Sequence, residues 1–528
     1  MKKLLILILF LIFSWAGSTW FIGNETESLL KTYMQNTKNA YAKMGVDTNF
    51  HIKNYKKSFL KSTATTVMSL NTGDPAIDEL FGELQFNNSI SHGPILFTNT
   101  SPSFGTAHIH SELDVSSLES ETQDLIKKLF ADKNPLTGTI IFGLSDSADY
   151  DLSIPAVDVK EGKSQFSLKE GIHITGTINK TTLMGTTNST IGALHIIDDG
   201  LNIDTSASSV EVDMQGMIAG QMIGLIHFVT PSVKITGDDV PPLSFGLDLL
   251  SDTRRAGDKA LDGDIKIIAS NIEAPIDMSE IKLSTSFKAL QVKGLEQLAA
   301  IQKDVQQLQS STMSENMSAN EQEALMEKLQ NLPNIMTVAV QNTLKKDKTE
   351  LQVKADIASK QGNSLLDINA RYIGNGADIN LEELITGGLA SVQKIINVNI
   401  DFSAPKAMIT STPAVFFLPS LLKQGVITEN TDNFSLKAIF DTDSIDLNGK
   451  SMRADDFVEL METLGLGGGG NDELPVGIEL PEGADIPMDG LPPALLEELS
   501  KQTDEELEAQ EVPKEIIEQI KKMQEKTE

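Results

Sequence analysis

The chain has no cysteine in its 528 residues. That excludes disulfide staples, thiolate nucleophiles, cysteine zinc sites and an acylated N-terminal cysteine. Aromatic rings are scarce: there are five Tyr and two Trp, and the latter are Trp15 and Trp20. Stacking platforms for bases or sugars are therefore poorly supplied. Positive charge is also short, with 43 Lys plus Arg against 74 Asp plus Glu and a net charge of -31. Such a chain repels phosphate backbones, which argues against nucleic acid as a partner, and it disfavours broad docking on anionic lipid. Catalytic signatures are missing too: there is no Gly-x-Ser-x-Gly, Walker, His-Glu-x-x-His or dinucleotide glycine pattern. No motif implies a cofactor.

The hydrophobic share, 40%, is enough to bury a core and too high for a disordered chain. The length predicts two or three lobes. After Met1-Lys2-Lys3, an uncharged run extends from Leu4 to Gly23. At about 1.5 Å per residue it spans roughly 30 Å, the thickness of a bilayer's hydrocarbon. Lys2 and Lys3 would stay inside, and Trp15, Trp20 and Phe21 suit the outer interface. Residues 1–23 are thus expected to be a signal-anchor. A cleaved signal peptide is the competing reading, with Leu4–Trp15 as its apolar core and Ala16-Gly17-Ser18 as its small-residue site.

Residues 24–48 read as a linking helix, with Leu29, Leu30, Tyr33, Met34 and Tyr41 in an approximate stripe. Residues 49–294 alternate with period two, as at Phe166, Leu168, Ile172, Ile174, Leu201, Ile203, Val210 and Val212. Asp198-Asp199-Gly200 and Lys169-Glu170-Gly171 punctuate the runs, which predicts an antiparallel meander. Residues 295–466 open with a helical hairpin. Leu295, Leu298, Ile301, Val305 and Leu308 form its first stripe. Ser318 to Glu321 make a capping box for the second helix, which Pro333 is expected to stop before a strand at Met336–Val340. A β-rich lobe with a last helix, Ala454–Leu464, completes this part. Residues 467–528 are a glycine linker and an acidic, partly disordered tail. The fold class is mainly β with helical insertions, an elongated antiparallel sheet behind an N-terminal membrane helix.

Four groups of residues bear on function. His92-Gly93-Pro94 reads either as a rigid strand exit or as a fixed acid/base histidine, with no visible partner nucleophile. His108, His110 and Glu112 share a strand face, which is either solvated or metal-binding. Asp441, Asp443 and Asp446 resemble part of a calcium loop, but Ile445 takes a ligand position and the closing Glu is missing. Met214, Met217 and Met222 stand among apolar residues, either as a core strand pair or as an adaptable surface for an apolar ligand. Asn448-Gly449 is a strong hairpin signal, and Phe457 should return an apolar helix face to the same sheet.

Three segments carry a resemblance: Asn54 to Leu60, Phe86 to Pro94, and Leu447 to Met452 with Asp456, Phe457 and Val458. With the N-terminal run they resemble the YdgA-like bacterial proteins, a family of unknown function. The resemblance implies inner-membrane attachment and a large periplasmic domain, and it implies no activity. Arg453 stands where the resemblance leads to a capping Ser, which leaves capping to a neighbour such as Ser451. The expected function is non-enzymatic binding or scaffolding of lipid or another envelope component, with the membrane held through the N-terminal helix. The alternative is a hydrolase-type envelope enzyme using His92. No oligomeric state follows from the sequence.

Overall fold

The structure is a computed structural model. It describes residues 25–464, apart from residues 41, 43–46, 72–82, 98–101, 132, 238–239, 275–276, 313–318, 377–378, 381–383, 385–387, 411–414 and 416. The expected membrane segment 1–23 and the linker and tail 467–528 lie outside the described residues. Among the described residues, no helix is long and apolar enough to cross a membrane. The chain divides into two compact units. Unit 1 is Met1–Ile276 with Leu290–Thr343, and unit 2 is Asp277–Ala289 with Leu344–Glu528. Both are mainly β, and every strand pairing described below is antiparallel.

Unit 1 opens with helix α1 (residues 25–40). Strands β1 (Asp47–Lys57), β2 (Lys61–Asn71) and β3 (Leu84–His92) follow. A side hairpin, β4 (Ile95–Phe97) with β5 (Pro102–Phe104), leads to β6 (Ala107–Leu113) beside β3. Helix α2 (Ser120–Phe130) interrupts the expected meander and leads to β7 (Thr137–Phe142) beside β6.

From there the chain runs up and down as long strands. β8 (Ser147–Ile154) continues into β9 (Val157–Glu161), and β10 (Ser164–Leu168) into β11 (Ile172–Asn179). β12 (Gly185–Ile191) continues into β13 (Leu194–Asp198), and β14 (Leu201–Thr205) into β15 (Ser208–Ile218). β16 (Gln221–Gly237), β17 (Leu243–Arg255) and β18 (Ala260–Glu273) are unbroken. The register shows that each broken pair is one strand. Ser164↔Glu161 and Leu168↔Val157 pass into Ile172↔Ile154 and Asn179↔Ser147, a single hairpin with one extra residue on one side. Lys169-Glu170-Gly171 therefore does not reverse the chain. Glu170 (φ 64°) and Gly171 (φ 70°) are consecutive left-handed residues that bulge the strand and let it carry on.

The breaks fall side by side and crease the sheet. They lie at Pro155-Ala156, Lys169–Gly171, Gly192-Ala193 and Ser206-Ala207, and the register shifts between Thr230 and Val233 in β16 continue the line. Lys169 N–H donates to Ala193 O (2.9 Å) and Ser206 N–H to Ser232 O (2.9 Å), so the crease keeps its backbone bonds. Gly192 is required there: a Cβ would lie 1.4 Å from Lys169 O.

Helices α3 (Val292–Thr312) and α4 (Ala319–Thr343) form the expected hairpin, and a Cβ on Gly294 would meet Thr343 N at 2.2 Å. The expected stop and strand are corrected here. α4 runs through Pro333 and takes in Met336–Val340. Local β-propensity loses to packing, with Ala339 1% exposed and the Thr343 hydroxyl bonded back to Ala339 O.

Unit 2 pairs β19 (Glu280–Gln291), β20 (Glu350–Ser359), β21 (Gly362–Tyr372) and β22 (Ile396–Pro405) in sequence. After β23 (Thr428–Glu429), β24 (Asn433–Phe440) lies beside β22, followed by β25 (Ile445–Leu447) and β26 (Lys450–Met452). The helices are α5 (Gly388–Gln393), α6 (Lys406–Thr410), α7 (Leu418–Lys423) and α8 (Ala454–Thr463). One core gathers Val426, Ala438, Leu447 and Leu464, with Leu421, Leu460 and Met461 packed against it.

Candidate functional site

Successive strand residues point to opposite faces, so aligned residues on neighbouring strands share a face. In unit 1 this sorts the sheet sharply. One row crosses Leu152, Ile174, Ser189, Val210, Phe228, Leu249 and Ile267. The next row on that face is Tyr150, Gly176, Thr187, Val212, Ile226, Ser251 and Ile265. Beyond the crease a third runs Val159, Phe166, Ile196, Ile203, Ile235 and Leu243. β17 joins the two halves, because Leu243, Phe245, Leu247 and Leu249 alternate along one strand. The opposite face is polar: Asp149, Asp151, Glu211, Asp213, Asp248, Asp252 and Asp264 line it, with His173, His227 and Lys266. His227 Nε2 lies 3.0 Å from Asp248, and His195 Nδ1 lies 2.6 Å from Asp204.

A sheet with one apolar face ordinarily hides it under a second layer. At the β1–β8 end, α1 does so. Leu30 joins Ala64, Ile90, Ala107, Ile109, Phe142 and Ala148 in a core, and Tyr33 stands edge-on to Phe142 with centroids 5.4 Å apart. Ile178, on the same face as Ile174, packs against the margin of this core. Past that point the described residues leave the face partly open. No residue in the three rows is buried; Phe166 and Ile265 are each 40% exposed. Seven strands at about 4.8 Å spacing make a strip roughly 30 Å across. An apolar patch of that extent is a candidate binding surface.

His92 lies under α1, on the covered part of this face. Its Nδ1 is 3.1 Å from Thr26 Oγ1 in the first turn of α1, and its Nε2 is 2.8 Å from Ser62 Oγ on β2. The three residues are 1–3% exposed. Burial, then the nearby Lys57 charge, holds the imidazole below its ordinary pKa. Neutral His92 thus bolts helix to sheet, one ring nitrogen donating and the other accepting. Gly93 continues into the side hairpin, donating to Thr106 O (3.2 Å), while Pro94 O accepts from Gly105 N–H (3.2 Å). Sequence reasoning missed Thr26 and Ser62 as partners, since they stand 66 and 30 residues away.

Met214 lies on the apolar face beside Val212, and Met217 faces Met222 across the β15–β16 hairpin. All three are half-buried at one end of the strip. His110 Nε2 meets Glu112 at 3.2 Å, and His108 is pushed below the usual imidazole range by burial, then by His110. Among the described residues, no group of three or more His, Asp or Glu is arranged to hold a metal ion. In unit 2, Asn448 (φ 53°) and Gly449 (φ 83°) make the β25–β26 turn. The Asn448 amide donates to Gly425 O and Val426 O, each at 2.9 Å. Asp446 is used in the same turn, accepting from Gly449 N–H at 2.8 Å. Phe457 is half-buried, edge-on to Phe440 at 5.4 Å. Asp456, not Ser451, caps α8, accepting from the Arg453 backbone and guanidinium.

No curated protein and no solved structure matches this chain. Residues 1–455 match the model of DUF945, described as a bacterial protein of unknown function, and the chain belongs to that family.

Proposed function

We propose that this DUF945 protein is a membrane-tethered envelope protein that binds the acyl chain of a lipid along the open apolar face of unit 1, without catalysing a reaction. The observation that carries the reading is the set of three aligned rows, apolar except at Tyr150, Gly176, Thr187, Ser189 and Ser251, left half-exposed past α1. Aliphatic side chains without buried polar partners suit an acyl chain, which needs apolar area and no hydrogen bonds. The N-terminal run Leu4–Gly23 and the YdgA-like resemblance support attachment to the bacterial inner membrane, with the body in the periplasm. The hydrolase alternative gains Ser62 within reach of His92, but its three side chains are sealed from solvent and, among the described residues, no carboxylate holds the ring.

The test is binding of a fluorescent long-chain fatty acid to the purified full chain. Ile226→Glu places a charge in the middle of the strip and should weaken binding at least about tenfold, the equivalent of about 1.4 kcal/mol. The variant should keep one cooperative unfolding transition, lowered by about 1–2 kcal/mol, because the side chain is half-buried and loses cross-strand contacts. Failure of the wild-type chain to bind, or unchanged binding by the variant, overturns the proposal.

A further inference from the structure

The chain has four arginines. Three are paired: Arg254 with Asp252 and Asp264 at 2.8 Å each, Arg371 with Glu350 at 2.7 Å, and Arg453 with Asp456 at 2.9 Å. Among the described residues, Arg255 has no carboxylate partner. The reason is its position. Arg254 shares the polar face with Asp252 and Asp264, so the next residue on the strand points to the apolar face, where no acid stands. Arg255 lies two residues from Thr253 and four from Ser251 along that face, at the end of β17. It is exposed, while Ile223, Ala260 and Leu261 beside it are buried. Gly216 forms the floor of this corner. A Cβ there would lie 3.8 Å from Met184 Cε, 3.9 Å from Ile223 Cβ and 4.0 Å from Arg255 Nη2. The guanidinium, a methionine methyl and a buried isoleucine thus converge on the bare backbone of Gly216, at the end of β17.

We infer that Arg255 anchors the anionic headgroup of the lipid whose chain lies on this face. The inference rests on the acyl-binding reading and adds a ligand class to it: a lipid with a carboxylate or phosphate head. Charge selects this occupant. In a chain of net charge -31, a guanidinium without an acid beside it, set at the end of an apolar strip, complements an amphiphile with one negative end.

The experiment compares palmitate with cetyl alcohol, which has the same chain and an uncharged head, on the full chain and on Arg255→Gln. Acetate alone serves as the headgroup without a chain. The expected result is that the wild-type chain prefers palmitate by about tenfold, that Arg255→Gln removes the preference while keeping the alcohol's affinity, and that Arg255→Lys retains part of it. Acetate should not compete at concentrations that saturate palmitate. Equal affinity for both ligands in wild type and variant overturns the role of Arg255 and leaves the apolar strip standing. Failure of either ligand to bind overturns both readings, and competition by acetate makes the corner an ion site without a lipid. Coincident unfolding curves for wild type and Arg255→Gln, expected for an exposed side chain without an ion pair, exclude misfolding as the cause.

Discussion

Replacing His92 with Leu removes both hydrogen bonds of a buried bridge, to Thr26 Oγ1 and to Ser62 Oγ. Each bond contributes about 0.5–1.5 kcal/mol net, and each stranded buried group adds about 1–3 kcal/mol of desolvation cost. Loss of the two bonds alone should lower stability by about 1–3 kcal/mol in a urea titration, rising to about 3–9 kcal/mol if both hydroxyls are left without a partner. The triple variant Thr26→Val, Ser62→Ala, His92→Leu removes all three polar members of the bridge together. It should recover to within about 1–2 kcal/mol of wild type, which is the non-additivity expected of groups that touch. The two proteins should also differ in acid. Because burial holds the His92 imidazole below its ordinary value of about 6.5, the unfolded chain takes up a proton first as pH falls. Wild-type stability should be full above about pH 6.5 and decline below it until the folded form protonates too, whereas the triple variant should lack that component. A triple variant as unstable as the sum of its single changes, with the acid slope intact, would refute the bridge.

The remaining expectations concern the crease and the last hairpin. Gly192→Ala should disrupt the sheet, because its Cβ would fall 1.4 Å from a backbone oxygen that cannot move cheaply; loss of well over about 3 kcal/mol is expected by thermal unfolding, and a near-neutral result would show the crease is not held there. Gly449→Val forces a β-branched residue to φ 83° and should cost about 1–3 kcal/mol. Phe457→Ala should cost about 1.5–3 kcal/mol and not the full value of a buried ring, since the ring is half-buried and edge-on to Phe440; intact stability would free α8 to act as a contact surface.

The mainly β character was legible because alternation survives at every scale, from Val210-Glu211-Val212 to Phe434–Phe440. The Asn448-Gly449 turn was legible because few residues tolerate positive φ in succession. The breaks were harder. Lys169-Glu170-Gly171 has a turn's composition, yet the same left-handed residues serve a bulge inside one strand, and only register separates the two. Ser120–Phe130 was missed in a stretch read as strand throughout, although its helix exposes most of its residues and ends near Lys127 and Lys128. Met336–Val340 looked like a strand because Thr and Val favour one, and tertiary packing overruled them. The candidate site was half legible. Alternation places the apolar residues on a face, but whether a second layer hides that face depends on contacts between distant segments. Arg254-Arg255 carried a signal that could have been used, since adjacent strand residues serve opposite faces.

The placement of α1 gives the open strip a direction. The helix lies on the same apolar face that stays open beyond β8, so it stops that face at one end as a cork stops a tube. The open rows therefore run from β8 to β18 and do not continue under α1 toward β1. The corked end is also the one joined in sequence to the N-terminal apolar run. A ligand of the open rows would meet this stop at one end, and opening the face past it would first require drawing Thr26 away from His92.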